Sequence, residues 1–373
     1  MLPAALAPID AWSVLAADGR RCPVVDGIPY LRTGRDALRL EALGHLDLGE
    51  VDAARAVLLT DVDDGWDGPV PSAADAQAAL AAPTLRAAME ALRMGRAGHY
   101  CAHRWSDPTY LAGLAVLRLA WPTEPGLTVV DIACDAGHYL RELLLRGHHP
   151  QAVLGLDVVW AKLWLARRHV LGPAGRQVRL VCLDATAQRW PVPTGGPALV
   201  LCADALSFLR DRPAVIAQML AVAGPAGTVV VTGAVTPVRQ HSGDPLPAAG
   251  YAALLPGAEV FDDAVSRAAA VAGTLPLPPR ALRASVPAIS LLLAGPATGD
   301  GPDLALPAPG RTPRPNPLYD EDGELRAPGA GWVQDYGDRL THLPERLPSA
   351  AALAADPEGW ARRRVVIDLP ETW

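Results

Sequence analysis

Three carboxylates sit at the ends of three consecutive apolar runs. Asp131 lies in the run that begins at Val129, Asp157 closes Leu154-Gly155-Leu156, and Asp184 follows Val178 to Leu183. Short apolar runs bounded by turn-forming residues read as buried strands. In an alternating strand-helix chain, ligands bind in the crevice outside the carboxyl ends of the strands. Acids at that edge suit a nucleotide-like ligand, which offers hydroxyls and an amino group as donors. Asp157 follows Asp131 by about 26 residues, the range expected of an acid that grips ribose hydroxyls. At Asp184, the carboxylate or the neighbouring backbone is placed to read an adenine amino group.

The first run breaks into Ala133-Cys134-Asp135-Ala136-Gly137, after which Tyr139 to Leu145 has the apolar spacing of a helix. This is a strand, a tight turn and a helix. Small residues let the backbone approach a ligand closely, and the first helical turn offers unpaired N–H groups. Two more stretches follow in order: Ala198 to Leu209, with Ala203-Asp204 after an apolar run, and Gly224-Pro225-Ala226-Gly227 leading into Thr228 to Val231.

These stretches, spread over residues 126–235, resemble the motifs of class I S-adenosylmethionine-dependent methyltransferases. The resemblance implies an α/β fold with a Rossmann-like, doubly wound sheet and S-adenosyl-L-methionine as cofactor. It assigns the methionine end to Asp131 and to Ala133, Asp135 and Gly137 of the turn. Asp157 would take the ribose, Val158 one face of the adenine, Asp184 with Ala185 its edge, and Ala203 a place beside the cofactor. Two departures stand out, because Ala133 and Asp135 occupy positions where the family has glycine. Ala133 adds one methyl group. Asp135 adds a carboxylate that would pair with the methionine ammonium or repel the methionine carboxylate, and the residues alone leave both open. A NAD-type site is disfavoured, since the turn lacks Gly-x-Gly-x-x-Gly.

The 373 residues allow one large domain with additions, or two domains, and half of them are apolar. The formal net charge of −7 argues against nucleic acid as partner, because phosphate neutralisation needs clustered cations. Lys162 is the only lysine, and arginine carries the rest of the positive charge, which reads as nucleotide-composition bias. The five cysteines, Cys22, Cys101, Cys134, Cys182 and Cys202, show no paired spacing, so no metal site is expected and a reducing cytoplasm fits. The N-terminus lacks the basic start of a signal peptide. No apolar run is long enough to span a bilayer, and no membrane is expected as partner.

Four regions are expected along the chain. Residues 1–35 read as two short strands about an Asp-Gly turn, and the ending Asp26-Gly27-Ile28-Pro29 is similar to a zinc-ribbon-like module without its upstream cysteine ligands. Residues 36–98 read as a helical cap, interrupted by the acidic loop Asp61 to Gly68, which lacks the closing glutamate of a calcium loop. Residues 99–295 form the methyltransferase domain, with a strand-helix insert over 257–273 and a last strand over 286–294. Residues 296–373 form a C-terminal extension. In it, the Pro- and Gly-rich part up to 331 reads as a linker or arm, Ser349 as a helix cap, and Arg362 to Leu369 as an edge strand with solvated arginines. Trp332, Tyr336, Trp360 and Trp373 give the tail aromatic surface for docking on the main domain or on a second subunit, which allows a homodimer.

Methyl transfer from a sulfonium needs alignment more than catalytic side chains. For a hydroxyl acceptor a base is required. The candidates are His241 on the loop after the fifth strand, Asp204 after the fourth, and His103 on the entry helix, where His99, Tyr100 and Arg104 would also line the pocket. The function expected is methyl transfer to an oxygen or nitrogen of a small molecule; the alternative is a catalytically silent, methyltransferase-like binding module.

Overall fold

A computed structural model describes residues 6–239, 243–279 and 285–373. The chain divides into two compact units: residues 1–102, 128–195 and 370–373, and residues 103–127 and 196–369.

The first unit opens with four short antiparallel strands, Ala7–Asp10, Ser13–Leu15, Arg21–Val25 and Ile28–Pro29, where the sequence suggested two. Its end protects a sheet edge: Tyr30 bridges Cys182, and the Leu31 amide donates to the Cys182 carbonyl at 2.7 Å. An edge strand left bare would present unpaired N–H and C=O groups. Buried Arg32 then donates to Asp61 at 2.8 Å and to Asp64 at 2.6 Å, and the Tyr30 hydroxyl donates to Asp61 at 3.1 Å. The acidic loop thus answers arginines. Among the described residues, no group of three or more acids, histidines or cysteines is placed to hold a metal.

The helical stretch consists of Asp36–Asp47, Val51–Leu59, Ala73–Ala81 and Leu85–Ala91. Ser72 and Asp75 form a capping box on the third, and Thr84 caps the fourth. Three parallel strands follow, Thr128–Ile132, Val153–Asp157 and Arg179–Cys182, with Val153–Asp157 in the middle. Their near-continuous burial matches their unbroken apolar character. Helices His138–Leu145 and Trp160–Leu165 connect them, the second running on through a π turn at Ala166–Val170.

In the second unit, Ala198–Ala203 and Thr228–Val235 are parallel neighbours. Ala288–Leu293 runs antiparallel to Thr228–Val235, and Glu259–Asp262 antiparallel to Ala288–Leu293. The expected insert and last strand are therefore both present. Asp262 caps the insert's helix, Asp263–Ala272, by accepting from the Ala264 amide. With these strands the sheet counts seven, mostly parallel, and the fold is α/β and Rossmann-like.

The extension departs from expectation in two places. Residues 295–331 are packed rather than extended: Leu304, Ala305, Ala308 and Leu318 are buried. Asn316 orders this stretch by donating to the Arg364 carbonyl at 2.7 Å while accepting from Ser106 and Leu318, each at 2.9 Å. The expected strand over 362–369 is short. Arg362 closes the helix Pro357–Arg362, only Val366–Ile367 is strand, and buried Arg364 donates to the Trp105 carbonyl at 2.9 Å. A proline at the first helical position behind the Asp356 cap starts that helix.

Candidate functional site

The turn after the first parallel strand bends at alternate residues. Ala133, Asp135 and Gly137 have φ of +54°, +52° and +78°. Left-handed backbone is free to glycine and costs other residues roughly 1–2 kcal/mol each. Three amide bonds hold it: Cys134 donates to the Leu156 carbonyl, Asp135 to Asp157 Oδ2, and Gly137 to the Cys134 carbonyl, each at 2.9 Å. Gly155 on the neighbouring strand makes the close packing possible, since a Cβ there would lie 2.8 Å from both Cys134 Sγ and a Leu140 methyl.

Charge concentrates at the same turn. Lys162 Nζ, from the helix after the second parallel strand, is 3.3 Å from Asp135 Oδ1, and Cys101 Sγ lies 2.9 and 3.1 Å from the two Asp135 oxygens. Burial pushes the Asp135 carboxyl up, but Lys162 and then His138 hold it below its ordinary value. Burial likewise opposes the Lys162 charge, and Asp135 with Asp157 more than restore it, so the ammonium is firmly protonated. Asp157 is pushed up, by burial first, with Lys162 opposing and Asp135 adding to the rise. Its two oxygens accept from the Asp135 and Val159 amides, both at 2.9 Å.

The other cofactor candidates of this unit lie at the strand ends. Asp131 is buried within the first strand, Val158 is half-buried just beyond the second, and Ala185 is buried beyond the third. Asp184 accepts from the Thr186 amide at 2.8 Å and from its hydroxyl at 2.6 Å, which forms a side-chain turn. Asp135 and Asp157 are thus joined through the Asp135 amide, and both carboxylates act on the charge of Lys162.

Residues 129–227 match the family model described as a methyltransferase domain. This segment is a methyltransferase domain. Comparison with curated protein sequences returns no match. Among solved structures, similarity extends to a S-adenosylmethionine-dependent methyltransferase from Thermotoga maritima, described as a possible histamine N-methyltransferase, at 16% identity, covering 38% of this chain and 56% of that one with a TM-score of 0.28. A TehB-like methyltransferase from Corynebacterium glutamicum is 17% identical over 50% of this chain and 86% of its own, with a TM-score of 0.34. Phosphoethanolamine N-methyltransferase 2 from Haemonchus contortus, solved with S-adenosyl-L-methionine, is 17% identical over 46% and 40%, with a TM-score of 0.33. The chain therefore spans little more than half the length of the Thermotoga protein. Overlaps this partial add nothing to the family match.

In the second unit the methyltransferase domain supplies Ala203 and Asp204, at the end of the Ala198–Ala203 strand. Asp204 has φ of +56° and fits because Gly233 beside it has no Cβ, which would otherwise meet Asp204 Oδ1 at 2.3 Å. Its Oδ2 lies 3.0 Å from Arg104 Nη1 and 2.8 Å from Thr109 Oγ1. Arg104 Nη1 also donates to both Asp107 oxygens, at 2.7 and 2.8 Å. Buried Tyr336 belongs to this cluster: burial, then Asp107 and Asp204, push its phenol well above the ordinary value. Nearby Asp263 accepts from Ser290 at 2.7 Å, and burial raises its carboxyl to about 7, with Ser290 opposing and Asp204 adding to the rise. Of the three base candidates, Asp204 is engaged in this network, His103 is buried on the Gly95–His103 helix, and His241 lies outside the described residues.

Sequence reasoning singled out neither Lys162 nor Asp107, Thr109 and Asp263 as site residues. Lys162 carried a signal, being alone among 33 basic residues, but was read as composition.

Proposed function

We propose that this chain binds S-adenosyl-L-methionine at the turn of its first unit and transfers the methyl group to an oxygen or nitrogen of a small molecule. The observation that carries this reading is the backbone of the turn. Ala133, Asp135 and Gly137 hold the alternating left-handed conformation that glycines adopt freely, although two of them are not glycine. Backbone strain retained at a strand-helix turn points to a ligand that needs that shape.

The residues present fit the cofactor. Asp157 accepts one amide on each oxygen, and each carboxylate oxygen has a second lone pair for a ribose hydroxyl. Burial disfavours its charge, so hydroxyl donors there would be held strongly. Asp131, Ala133, Asp135 and Gly137 would hold the methionine end, Val158 would flank the adenosyl group, and Asp184 with Ala185 would meet the adenine edge. When bound, the cofactor supplies an activated sulfonium methyl. The chain's share is to orient donor and acceptor and to keep water out. For a hydroxyl acceptor, His103, Asp204 and His241 are the bases to test; Asp204 would first have to loosen from Arg104 and Thr109.

The net charge of −7 favours a small acceptor over nucleic acid. No described helix is long and apolar enough to cross a membrane. The five cysteines are free and buried, which suits a reducing compartment such as the cytoplasm. A homodimer through the aromatic tail remains part of the proposal. One observation favours a silent binding module instead: Asp135 places a paired charge inside the turn where the family has glycine.

The test is transfer of labelled methyl from S-adenosyl-L-methionine to a panel of small hydroxyl and amine compounds. Expected is product with at least one acceptor and none with Asp157→Ala. Cofactor binding without transfer to any acceptor would select the silent module.

A further inference from the structure

Asp135 and Lys162 face each other inside the turn, and their placement goes further than an ion pair that steadies the fold. Their side chains are 13% and 21% exposed, so the pair is largely enclosed without being sealed. Lys162 Nζ is paired with Asp135, and the Asp157 carboxylate adds to the field that keeps the ammonium charged. Asp157 already spreads its charge over two backbone amides, whereas Asp135 has Lys162 as its nearest cation, with His138 at 3.9 Å, the Ala136 amide and the weak Cys101 thiol donor as further support. A flexible ammonium is a point charge that turns readily toward a new anion. The site is thus preorganised for a guest that brings one positive and one negative group a few bonds apart, and the cost of taking both protein charges out of water has already been met.

We propose that Asp135 and Lys162 form a two-point clamp for the α-amino-acid end of the cofactor, with Asp135 taking its ammonium and Lys162 its carboxylate. This rests on the cofactor reading above and settles which way the Asp135 departure acts. One internal ion pair is exchanged for two crossed pairs with the ligand, and no covalent bond changes. Glycine at position 135 offers no such carboxylate, so this chain binds the amino-acid end by charge where the family turn offers backbone.

Calorimetry on the full chain with two probes isolates the clamp. S-Adenosylhomocysteine carries the amino-acid end; 5′-methylthioadenosine shares the adenosyl group and lacks it. With Lys162→Met, S-adenosylhomocysteine affinity should fall roughly tenfold to a hundredfold, the worth of one charged hydrogen bond, with methylthioadenosine affinity unchanged. Lys162→Arg should recover part of the loss. Because Lys162→Met strands a carboxylate, the double variant Lys162→Met/Asp135→Asn, which removes both charges, serves as the folded control and should show the same selective loss. Equal losses for both probes, or no loss, would overturn the clamp. A native chain that binds methylthioadenosine but not S-adenosylhomocysteine would overturn it too and leave the adenosyl site standing. A native chain that binds neither would remove both readings.

Discussion

Each unit places a carboxylate on left-handed backbone at a strand end, but the two clusters are tied down differently. In the first unit Asp135 meets an ammonium that is 21% exposed, on a turn held by the amide bonds of Cys134, Asp135 and Gly137. In the second, Asp204 and Asp107 converge on a single guanidinium, and the side chains of Arg104, Asp107 and Asp204 are 3%, 0% and 9% exposed. A multidentate arginine, closed off from water, acts as a fixed strut. A partly open lysine is free to change partners. One cluster is left partly open and the other is closed into a frame, in which Asp204 is held by Arg104 and Thr109.

The largest effect expected follows from that contrast. Arg104→Met leaves two buried acids without their cation and should cost about 3–5 kcal/mol of stability, read by urea unfolding. Lys162→Met should cost clearly less, and equal losses would break the distinction between frame and receptor.

Asp263 sharpens the picture of the second unit. Its carboxyl, raised by burial to about 7, prefers the neutral form in the folded chain. The stability linked to it is complete below the ordinary carboxylate value near 3.8 and is lost as pH rises through about 7. Asp263→Asn should therefore flatten the pH dependence between 4 and 7, gaining on the native chain by on the order of 3 kcal/mol at the upper end. Parallel pH profiles of unfolding for the two proteins would contradict this placement.

Smaller effects probe the first unit. Asp157→Ala deprives two amides of an acceptor and should destabilise by roughly 1–3 kcal/mol. Ala133→Gly should stabilise by roughly 0.5–1 kcal/mol, the relief of a left-handed alanine less the extra freedom glycine gains on unfolding. A thermal midpoint lowered by that change would show that Ala133 is not strained.

The first unit was the more legible in sequence, and the reason is locality. Its strands are unbroken apolar runs, and the turn, Asp131 to Gly137, is contiguous, so its resemblance survived the loss of two glycines. Lys162 stands out in the sequence only as the single lysine, because one cation on an apolar helix has no spacing pattern that assigns it a partner. The second unit assembles Arg104, Asp107 and Thr109 with Asp204, Tyr336 and Asp263, and no local period encodes pairings across more than 200 residues. The 295–331 stretch misled because proline and glycine density reports missing secondary structure rather than missing packing, and Asn316 packs it through hydrogen bonds. In the tail, the apolar run after Arg364 suggests a strand, but Asp356 and Pro357 start a helix that runs to Arg362.

The central claim is that the Ala133–Gly137 turn and Asp157 hold the adenosyl cofactor. Calorimetry with S-adenosylhomocysteine, on the native chain and on Asp157→Ala, tests it most directly. Expected is saturable one-to-one binding by the native protein, weakened roughly tenfold or more in the variant. No binding to the native chain, or equal affinity in both proteins, would contradict it.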